Sequence, residues 1–403
     1  MTTSKPSIPF APSPRTAVST IFAIIGFVSA GWIARIPALT AKLDMDTAQL
    51  GALLLFIAVG SLIAFQFIGR WIEHHGSDRT TLFFTLIFIV ALVALALSPI
   101  PAVLGAGLFF YGASFGAADV AMNAQGVTVE RRLKKPIMGS LHGFFSFGAL
   151  AGAAISAVLA GAGVGLEANL ILFAVIALVL TLWANLGMVR DDPIPAEDKP
   201  KSGGGFSLPP RALWPMGVIA FCGAIGEGSL ADWGALYVHD ELGSSEGMAA
   251  FGFTVFSTTM LAGRFVSDQL VIKFGAERVV RTGAVIAAIG LMAGLIPNVT
   301  WAAIAGFAVM GIGLASVFPV VYSAAGSIPG IPSGRGVAAV ATMGYTGFLA
   351  GPPVLGFLAR ATSIQVALMV VAGLIALIPF YTKTLRKPAT VDAMPVATSH
   401  VAD

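Results

Sequence analysis

Charged side chains are scarce in this sequence, because Asp, Glu, Lys and Arg together make up 11% of its 403 residues, against roughly 25% in ordinary soluble domains. Cysteine is nearly absent too. Cys222 is the only one, which excludes intrachain disulfides and cysteine-based metal clusters. A soluble protein of this length needs a charged exterior that these residues cannot supply. The scarcity of charge therefore excludes a cytosolic enzyme, a secreted disulfide scaffold and a disordered chain.

Apolar side chains dominate instead, because hydrophobic residues make up 57% of the sequence and 47 glycines add to them. A transmembrane helix needs about 20 mostly apolar residues, and the sequence contains twelve such stretches. They lie near 16–36, 47–69, 80–98, 101–127, 137–160, 168–188, 212–238, 247–268, 279–297, 300–325, 336–358 and 363–382. We therefore predict an all-α, polytopic membrane protein with 12 transmembrane helices.

The longest polar break runs from Val189 to Arg211 and divides the apolar stretches into six and six. It predicts two halves joined by a linker. The predicted parts are a cytoplasmic tail at 1–15, a six-helix half at 16–188, a cytoplasmic linker at 189–211, a second six-helix half at 212–382 and a second tail at 383–403.

A repeat at a fixed offset supports two related halves. Gly148-Ala-Leu-Ala-Gly152 recurs 199 positions later as Gly347-Phe-Leu-Ala-Gly351, and Gly76 and Arg79 recur at the same offset as Gly275 and Arg278. Two parallel six-helix repeats with a substrate site between them are one of the arrangements of secondary transporters.

Basic residues are distributed unevenly between the two predicted faces of the membrane. With the N-terminus inside, 20 of the 23 lysines and arginines fall on inner segments, and only Arg35, Lys42 and Arg360 fall outside. Cytoplasmic loops are enriched in Lys and Arg. We therefore expect a multi-pass protein of the plasma membrane, the inner membrane of a bacterium, with both termini in the cytoplasm.

Two predicted loops combine glycine, arginine and a carboxylate. The loop after span 2 holds Gly69, Arg70, Glu73, Gly76 and Arg79, and the loop after span 8 holds Gly263, Arg264, Asp268, Gly275 and Arg278. Glycine lets helices approach closely, and a carboxylate at a helix end can pair with an arginine of a neighbour, which would close one face of a moving transporter. The alternative is ordinary loop charge that only sets topology.

The loop pattern resembles the inter-helix loop signature of the major facilitator superfamily. The number of spans, the linker and the duplication agree with this resemblance over the whole chain. It implies the major facilitator fold.

Three acidic residues lie well inside the apolar stretches: Asp119, Glu227 and Asp232. An ionised carboxylate is costly in a membrane, so such residues usually face a cavity and serve ions or substrate, and desolvation favours their protonated form. The alternative is a structural partner for a neighbouring polar group. Asn123 shares a helix face with Asp119, so the two can hold a hydroxylated solute, whereas Gln125 lies on another side near the inner mouth.

Span 7 contains the sequence Gly226-Glu227-Gly228-Ser229-Leu230-Ala231-Asp232-Trp233. Its glycines, together with Gly223, either let the helix unwind beside a water-lined cavity or let neighbouring helices pack closely. His142 of span 5 is either a proton relay or a satisfied hydrogen-bonding residue. Trp32 and Trp233 either anchor the protein at the membrane interface or stack on a sugar ring.

Within the superfamily, the sequence is similar to the fucose permease-like branch of sugar–proton symporters. The resemblance rests on Ile36-Pro37 followed by Gln49-x-Gly51, Asp119-x-x-x-Asn123, Phe145-Ser146-Phe147-Gly148 and Phe318-Pro319. It implies that Asp119 belongs to a sugar and proton site. The sequence departs from the branch in span 1, where Ile33, beside Trp32 and Arg35, replaces a second carboxylate.

These features predict a secondary active transporter that takes up a sugar, polyol or similar hydrophilic solute with protons by alternating access. Asp119 would carry the proton, Asn123 would bind solute hydroxyls, and Glu227 and Asp232 would form a second polar cluster across the cavity. The two glycine–arginine loops would close the inner face. Export of drugs or metabolites is the main alternative. A transport-inactive sensor or an embedded enzyme would need a signalling domain or a catalytic constellation that the sequence lacks.

The expected partners are a small-molecule substrate, protons and membrane lipid. The sequence has no basic stripe interleaved with aromatics, so nucleic acid is not expected. It also has no G-x-x-x-x-G-K-[ST] or H-E-x-x-H motif, so we expect no ATPase motor, no cofactor and no metal site. Nothing in the sequence requires more than a monomer.

Overall fold

The computed structural model describes residues 10–191 and 209–386, and within them every regular element is helical. Twelve long helices follow the predicted stretches in order. They are α1 (Pro14–Ile33), α2 (Thr47–His75), α3 (Ser77–Leu97), α4 (Pro101–Leu133), α5 (Met138–Gly161), α6 (Leu166–Asn185), α7 (Trp214–Leu236), α8 (Glu246–Phe274), α9 (Ala276–Leu295), α10 (Thr300–Ala325, interrupted after Leu314), α11 (Ser333–Ala361) and α12 (Ile364–Leu385). The prediction of an all-α, polytopic membrane protein is confirmed.

Eleven of these helices are long and apolar enough to cross a membrane, and α11 is the exception. It has 29 residues, but Pro352, Pro353 and its glycines lower its mean hydropathy. Its length still exceeds that of a typical span. A short helix, Ile36–Lys42, begins at the Ile36-Pro37 pair and joins α1 to α2.

The two halves pack their helices in the same pattern. In the first half α5 and α6 pack on α1, α2 and α3 pack on α4, and α3 packs on α6. In the second half α11 and α12 pack on α7, α8 and α9 pack on α10, and α9 packs on α12. The halves meet chiefly where α2 contacts α11 and α5 contacts α8. Most of the predicted linker, 192–208, lies outside the described residues.

The glycines of the repeat lie where helices touch. A Cβ atom on Gly148 of α5 would lie 2.0 Å from the carbonyl oxygen of Ala23 on α1. In the second half, a Cβ atom on Gly347 of α11 would lie 2.6 Å from the carbonyl oxygen of Phe221 on α7. Glycine therefore permits the same close helix pair in each half.

We expect Gly148→Ala to destabilise the folded protein, because the added methyl group would force α1 and α5 apart. Overpacking of this kind costs about 1–3 kcal/mol and should lower the unfolding temperature measured in detergent. The matched control is Gly373→Ala on α12, since nothing lies within 4 Å of that Cβ position. There the better helix propensity of alanine should leave the unfolding temperature unchanged or raise it. Equal effects at both positions would contradict the close approach.

The predicted loops after spans 2 and 8 are almost entirely helical, which corrects the prediction. α2 continues to His75 and α8 to Phe274, and a single glycine, Gly76 or Gly275, separates each from the next helix. Both glycines have a positive φ, 84° and 82° respectively, which glycine adopts without a steric cost. The charged helix ends extend past the apolar stretches, so hydropathy alone ended these helices too early.

The described parts of the predicted tails are ordered against the bundle. α1 already begins at Pro14, and Arg15 donates to Ser140 Oγ at 3.2 Å. At the other end, Leu385 is buried and Arg386 donates to Glu277 of α9. The remaining tail residues, 1–9 and 387–403, lie outside the described residues.

Candidate functional site

One end of the bundle, here called the basic face, carries the α2–α3, α4–α5, α8–α9 and α10–α11 connections, and contacts between the halves lie there. Arg335, near the start of α11, donates from Nη2 to Glu73 Oε2, near the end of α2, at 2.9 Å. Arg131, near the end of α4, donates to the carbonyl oxygen of Gly326, which follows α10. These contacts tie α2 and α4 of the first half to α10 and α11 of the second.

Two carboxylates hold the N-terminus of α5 at the same face. Asp268 of α8 accepts from the backbone N–H groups of Gly139 at 2.7 Å and Ser140 at 2.9 Å. Glu130 of α4 accepts from the N–H of Ile137 at 2.9 Å and from the hydroxyl of Ser323 on α10. Carboxylates satisfy free N–H groups at a helix N-terminus and complement the helix dipole. Asp268 therefore acts between the halves, but its partner is a helix end and not the predicted arginine.

At the other end of the bundle, the opposite face, the hydrogen bonds and ion pairs among described residues stay within one half. Arg35 donates to the carbonyl oxygen of Val164 at 2.8 Å, and Lys42 pairs with Glu167 at 2.8 Å. In the second half Glu241 accepts from the backbone at the start of α12. Among the residues that the structure describes, the halves are therefore hydrogen-bonded to each other only towards the basic face and the middle.

The predicted Asp119–Asn123 pair lies in the middle of α4. Asn123 Nδ2 donates to the carbonyl oxygen of Asp119 at 2.8 Å and to its Oδ1 at 3.2 Å. The amide oxygen of Asn123 lies 3.1 Å from Nε2 of His142 on α5, whose ring N–H it accepts. All three residues are buried, and no Lys or Arg among the described residues pairs with Asp119.

A second set of contacts reaches the other half. Arg264 Nη2 lies 3.1 Å from Oε2 and 3.2 Å from Oε1 of Glu227 on α7. Arg264 Nη1 donates to Ser146 Oγ on α5 at 2.5 Å, and that hydroxyl donates to the carbonyl oxygen of His142 at 3.1 Å. One polar chain, here called the central network, therefore crosses both halves through Asp119, Asn123, His142, Ser146, Arg264 and Glu227.

The position of Arg264 corrects the sequence prediction. It lies well inside α8, where it is buried, and not in a loop at the inner face. The sequence held a signal for this, because the 199-residue offset that relates Gly76 to Gly275 pairs Arg264 with Phe65 and not with Arg70. The two glycine–arginine pairs are therefore not equivalent.

Aromatic rings surround the central network. The His142 ring lies 5.8 Å from that of Tyr322 on α10, and Tyr345 of α11 lies 4.7 Å from Phe65 of α2 between ring centroids. Neither phenol hydroxyl has a hydrogen-bonding partner among the residues that the structure describes. Only 5 tyrosines occur in the chain. This rarity is the one feature of the sequence that could have drawn attention to Tyr322 and Tyr345.

Other glycines and arginines of the two predicted loops lie on different helices and do not form one contact. A Cβ atom on Gly69 would lie 3.1 Å from Cα of Arg335, so glycine lets α2 approach α11. Gly263 lies inside α8 against α10. Arg79 and Arg278 occupy the first turns of α3 and α9, outside the central network.

Three predicted residues of the first half, Gln125, Trp32 and Arg35, lie away from the central network. Gln125 accepts from Ser77 Oγ at 2.5 Å and donates to the carbonyl oxygen of Val189 at 2.8 Å, towards the basic face. Trp32 is buried and packs edge-on against Tyr111, with ring centroids 5.5 Å apart. Like Arg35, it stabilises the first half.

In the second half, Asp232 and Trp233 also lie outside the network. Asp232 is exposed and has no hydrogen bond or ion pair with a described residue, so the predicted cluster with Glu227 does not form. Trp233 packs against Gly356 of α11, 3.3 Å from the Cβ position of that glycine.

The glycines of span 7 support close helix packing, and α7 does not unwind at them. The helix is continuous from Trp214 to Leu236. A Cβ atom on Gly226 would lie 3.0 Å from Leu314 of α10, and one on Gly228 would lie 3.0 Å from Phe348 of α11. Of the two alternatives for these glycines, the structure contains the second.

Comparisons with known proteins agree with this architecture. The family model described as Major Facilitator Superfamily matches residues 16–252 and 216–398. The chain is 30% identical over 377 residues to an uncharacterized transporter of Sinorhizobium fredii, which covers 93% of this chain and 99% of that protein. It is 32% identical over 363 residues to an uncharacterized MFS-type transporter of Yersinia pestis, at 90% and 93% coverage.

Solved structures show the same fold at low identity. The Escherichia coli fucose–proton symporter (an N162A variant) has a TM-score of 0.77 and 17% identity, with 93% of this chain and 99% of that chain covered. The human organic anion transporter MFSD10 has a TM-score of 0.74 and 16% identity, at 92% and 100% coverage. The chain therefore belongs to the major facilitator superfamily and is a multi-pass membrane transporter, not an enzyme.

Proposed function

We propose that this protein is a secondary active transporter that takes up a small hydroxylated solute together with protons by alternating access. The observation that carries the proposal is the central network, because it joins groups that can bind protons and solute in both halves. The fold that the chain shares with a fucose–proton symporter agrees with this class of transport.

Alternating access is supported by the uneven distribution of contacts between the halves. The Glu73–Arg335 ion pair and the Asp268 cap on α5 close the basic face, while the opposite face has no such bonds between described residues of the two halves. In transporters built from two parallel repeats, one half rocks against the other around a fixed site. With the basic face in the cytoplasm, as the basic residues predict, the described state receives solute from outside.

Proton coupling is assigned to Asp119. Its side chain is buried in the middle of a membrane helix and pairs with the neutral Asn123, not with a cation. An ionised carboxylate without a counter-ion is costly there, so the carboxyl group gains or loses a proton when its surroundings change. Solute hydroxyls then bind beside it, since Asn123 and His142 offer polar atoms and the hydroxyls of Tyr322 and Tyr345 lack partners among the described residues.

Purified protein in proteoliposomes tests this function. With the lumen more alkaline than the medium, we expect a labelled sugar or polyol from a panel to accumulate inside, while protons enter with it. A protonophore should abolish the accumulation. Solute entry that ignores the pH gradient contradicts proton coupling, and gradient-driven expulsion of a preloaded solute identifies the export alternative.

A further inference from the structure

The ion pair between Arg264 and Glu227 is incomplete on the arginine side. Only 9% of the Arg264 side chain is exposed, against 28% of the Glu227 side chain. One nitrogen, Nη2, serves both oxygens of Glu227, and Nη1 serves Ser146. Nε is buried and has no acceptor among the described residues.

An arginine that holds a carboxylate as a fork uses two nitrogens, one for each oxygen. Here Nε, on the edge of the guanidinium that such a fork uses, is left without an oxygen. A buried N–H donor without an acceptor costs free energy, because it has lost its hydrogen bonds to water and gained none in the protein. Another carboxylate that took the place of Glu227 and bound Nε and Nη2 together would form the two-nitrogen fork that Glu227 does not form.

We infer that Arg264 binds the carboxylate of an anionic, hydroxylated substrate such as a sugar acid, and that Glu227 is the internal counter-ion which this carboxylate displaces. The inference rests on the proposed function, because it takes the central network as the solute site. Asn123, His142 and the hydroxyls of Tyr322 and Tyr345 then face the hydroxyl groups of the same molecule.

Displacement couples the anion to a proton. The substrate carboxylate forms its bonds to Arg264, the Arg264–Glu227 bonds break, and Glu227 takes one proton from the open aqueous side. The net charge of the site is unchanged, because one negative and one positive charge enter together. A carboxylate that loses its counter-ion in this interior gains a proton because the charged form is costly there.

Other titratable groups belong to the central network or pack around it. His142 of α5 is joined to Arg264 through Ser146, and Asp119 of α4 is joined to His142 through Asn123. Tyr322 of α10 packs beside the His142 ring, and Tyr345 of α11 packs beside Phe65. None of them is a second cation for Glu227. A neutral polyol offers no charge to replace Glu227 and leaves the ion pair in place.

The test compares sugar acids with their neutral partners on the purified, full-length protein by isothermal titration calorimetry. The pairs are D-gluconate with D-sorbitol, D-glucuronate with D-glucose, and D-galacturonate with D-galactose. We expect at least one acid to bind at least about tenfold more tightly than its neutral partner. Its binding should take up one proton, measured from the dependence of the heat on the ionisation enthalpy of the buffer. Equal or weaker binding by all three acids overturns the inference.

Variants of the pair sharpen the test. Glu227→Gln removes the competing charge, so the acid should bind about tenfold more tightly and without proton uptake. Arg264→Gln should abolish the preference for the acid. If Arg264→Gln does not fold, the double variant Arg264→Gln/Glu227→Gln removes both charges and should still lose the preference. A tenfold preference for the acid that survives in the double variant overturns the inference.

The outcome separates this inference from the proposed function. Gradient-driven accumulation of a neutral polyol, with no acid bound, removes the inference and leaves proton-coupled transport standing. Acid binding that responds to both variants, in a protein that accumulates no solute under a pH gradient, contradicts the proposed function and keeps Arg264 as a carboxylate-binding residue.

Discussion

We expect Asp119→Asn to abolish gradient-driven accumulation of a neutral solute and to leave exchange of that solute across the membrane in place. Asparagine has the size of the protonated carboxyl group and carries no charge, so the bond to Asn123 and the solute site persist. The variant can no longer release a proton. A neutral solute leaves the Arg264–Glu227 pair in place, so only the proton of Asp119 enters with it. A pH difference of one unit then supports about tenfold accumulation of that solute, and we expect this to fall to about onefold. Proteoliposomes measure both accumulation and exchange.

The matched control is Asp240→Asn. Asp240 is a carboxylate outside the central network, with 53% of its side chain exposed, and it pairs only with the neighbouring His239 among the described residues. The same substitution there should leave accumulation at the level of the unmodified protein. Exchange by the Asp119→Asn variant should also be insensitive to pH. Undiminished accumulation by that variant would remove Asp119 from the coupling mechanism.

The second large effect concerns the Glu73–Arg335 ion pair. Glu73→Arg places two arginines where α2 meets α11, so the closed basic face loses an attraction and gains a repulsion. A partly exposed ion pair contributes about 1 kcal/mol or less, and its reversal should shift the equilibrium towards the open basic face by about fivefold or more. We expect a corresponding loss of solute affinity from the opposite face.

A single cysteine reports this opening. Ser267 of α8 is 1% exposed beside Gly139 of α5, so Ser267→Cys, in a chain whose own Cys222 is replaced by serine, should react slowly with a polar maleimide. The reaction should be faster in Glu73→Arg. It should slow again in the double variant Glu73→Arg/Arg335→Glu, which restores an opposite-charge pair. Equal rates in all three proteins would mean that this ion pair does not control the basic face.

The fold could be predicted from sequence because a membrane restricts it strongly. Every backbone polar group must be satisfied within the span, so twelve apolar stretches imply twelve helices, and the offset of 199 residues implies two similar halves. Helix ends were predicted less well. Hydropathy reports where a helix leaves the lipid and not where its backbone hydrogen bonds end, so Gly69, Arg70 and Glu73 were assigned to a loop although α2 continues to His75.

The candidate site was predicted in part. A charged residue inside an apolar stretch can be recognised from sequence, but the residue that it contacts cannot. Asp119, Asn123 and His142 were all identified, yet the bond between Asn123 and His142 depends on how α4 and α5 pack. Glu227 and Arg264 were both identified, but Arg264 was assigned to a loop at the inner face and not to Glu227, because the two residues meet only through the packing of α7 on α8. Tyr322 and Tyr345 were missed because an uncharged side chain in an apolar stretch does not stand out from its neighbours in the sequence.

The absence of bonds between the described residues of the two halves at the opposite face has a consequence for inhibitors. Under the proposed alternating access, drawing that face together requires a molecule that touches the first half at Asn123 or His142 and the second half at Arg264 or Tyr345. A compound that satisfies the groups of one half alone can occupy the site without bringing the halves together. Such compounds would be inhibitors and not transported substrates. The affinity of a compound for the site and its transport can therefore be designed separately.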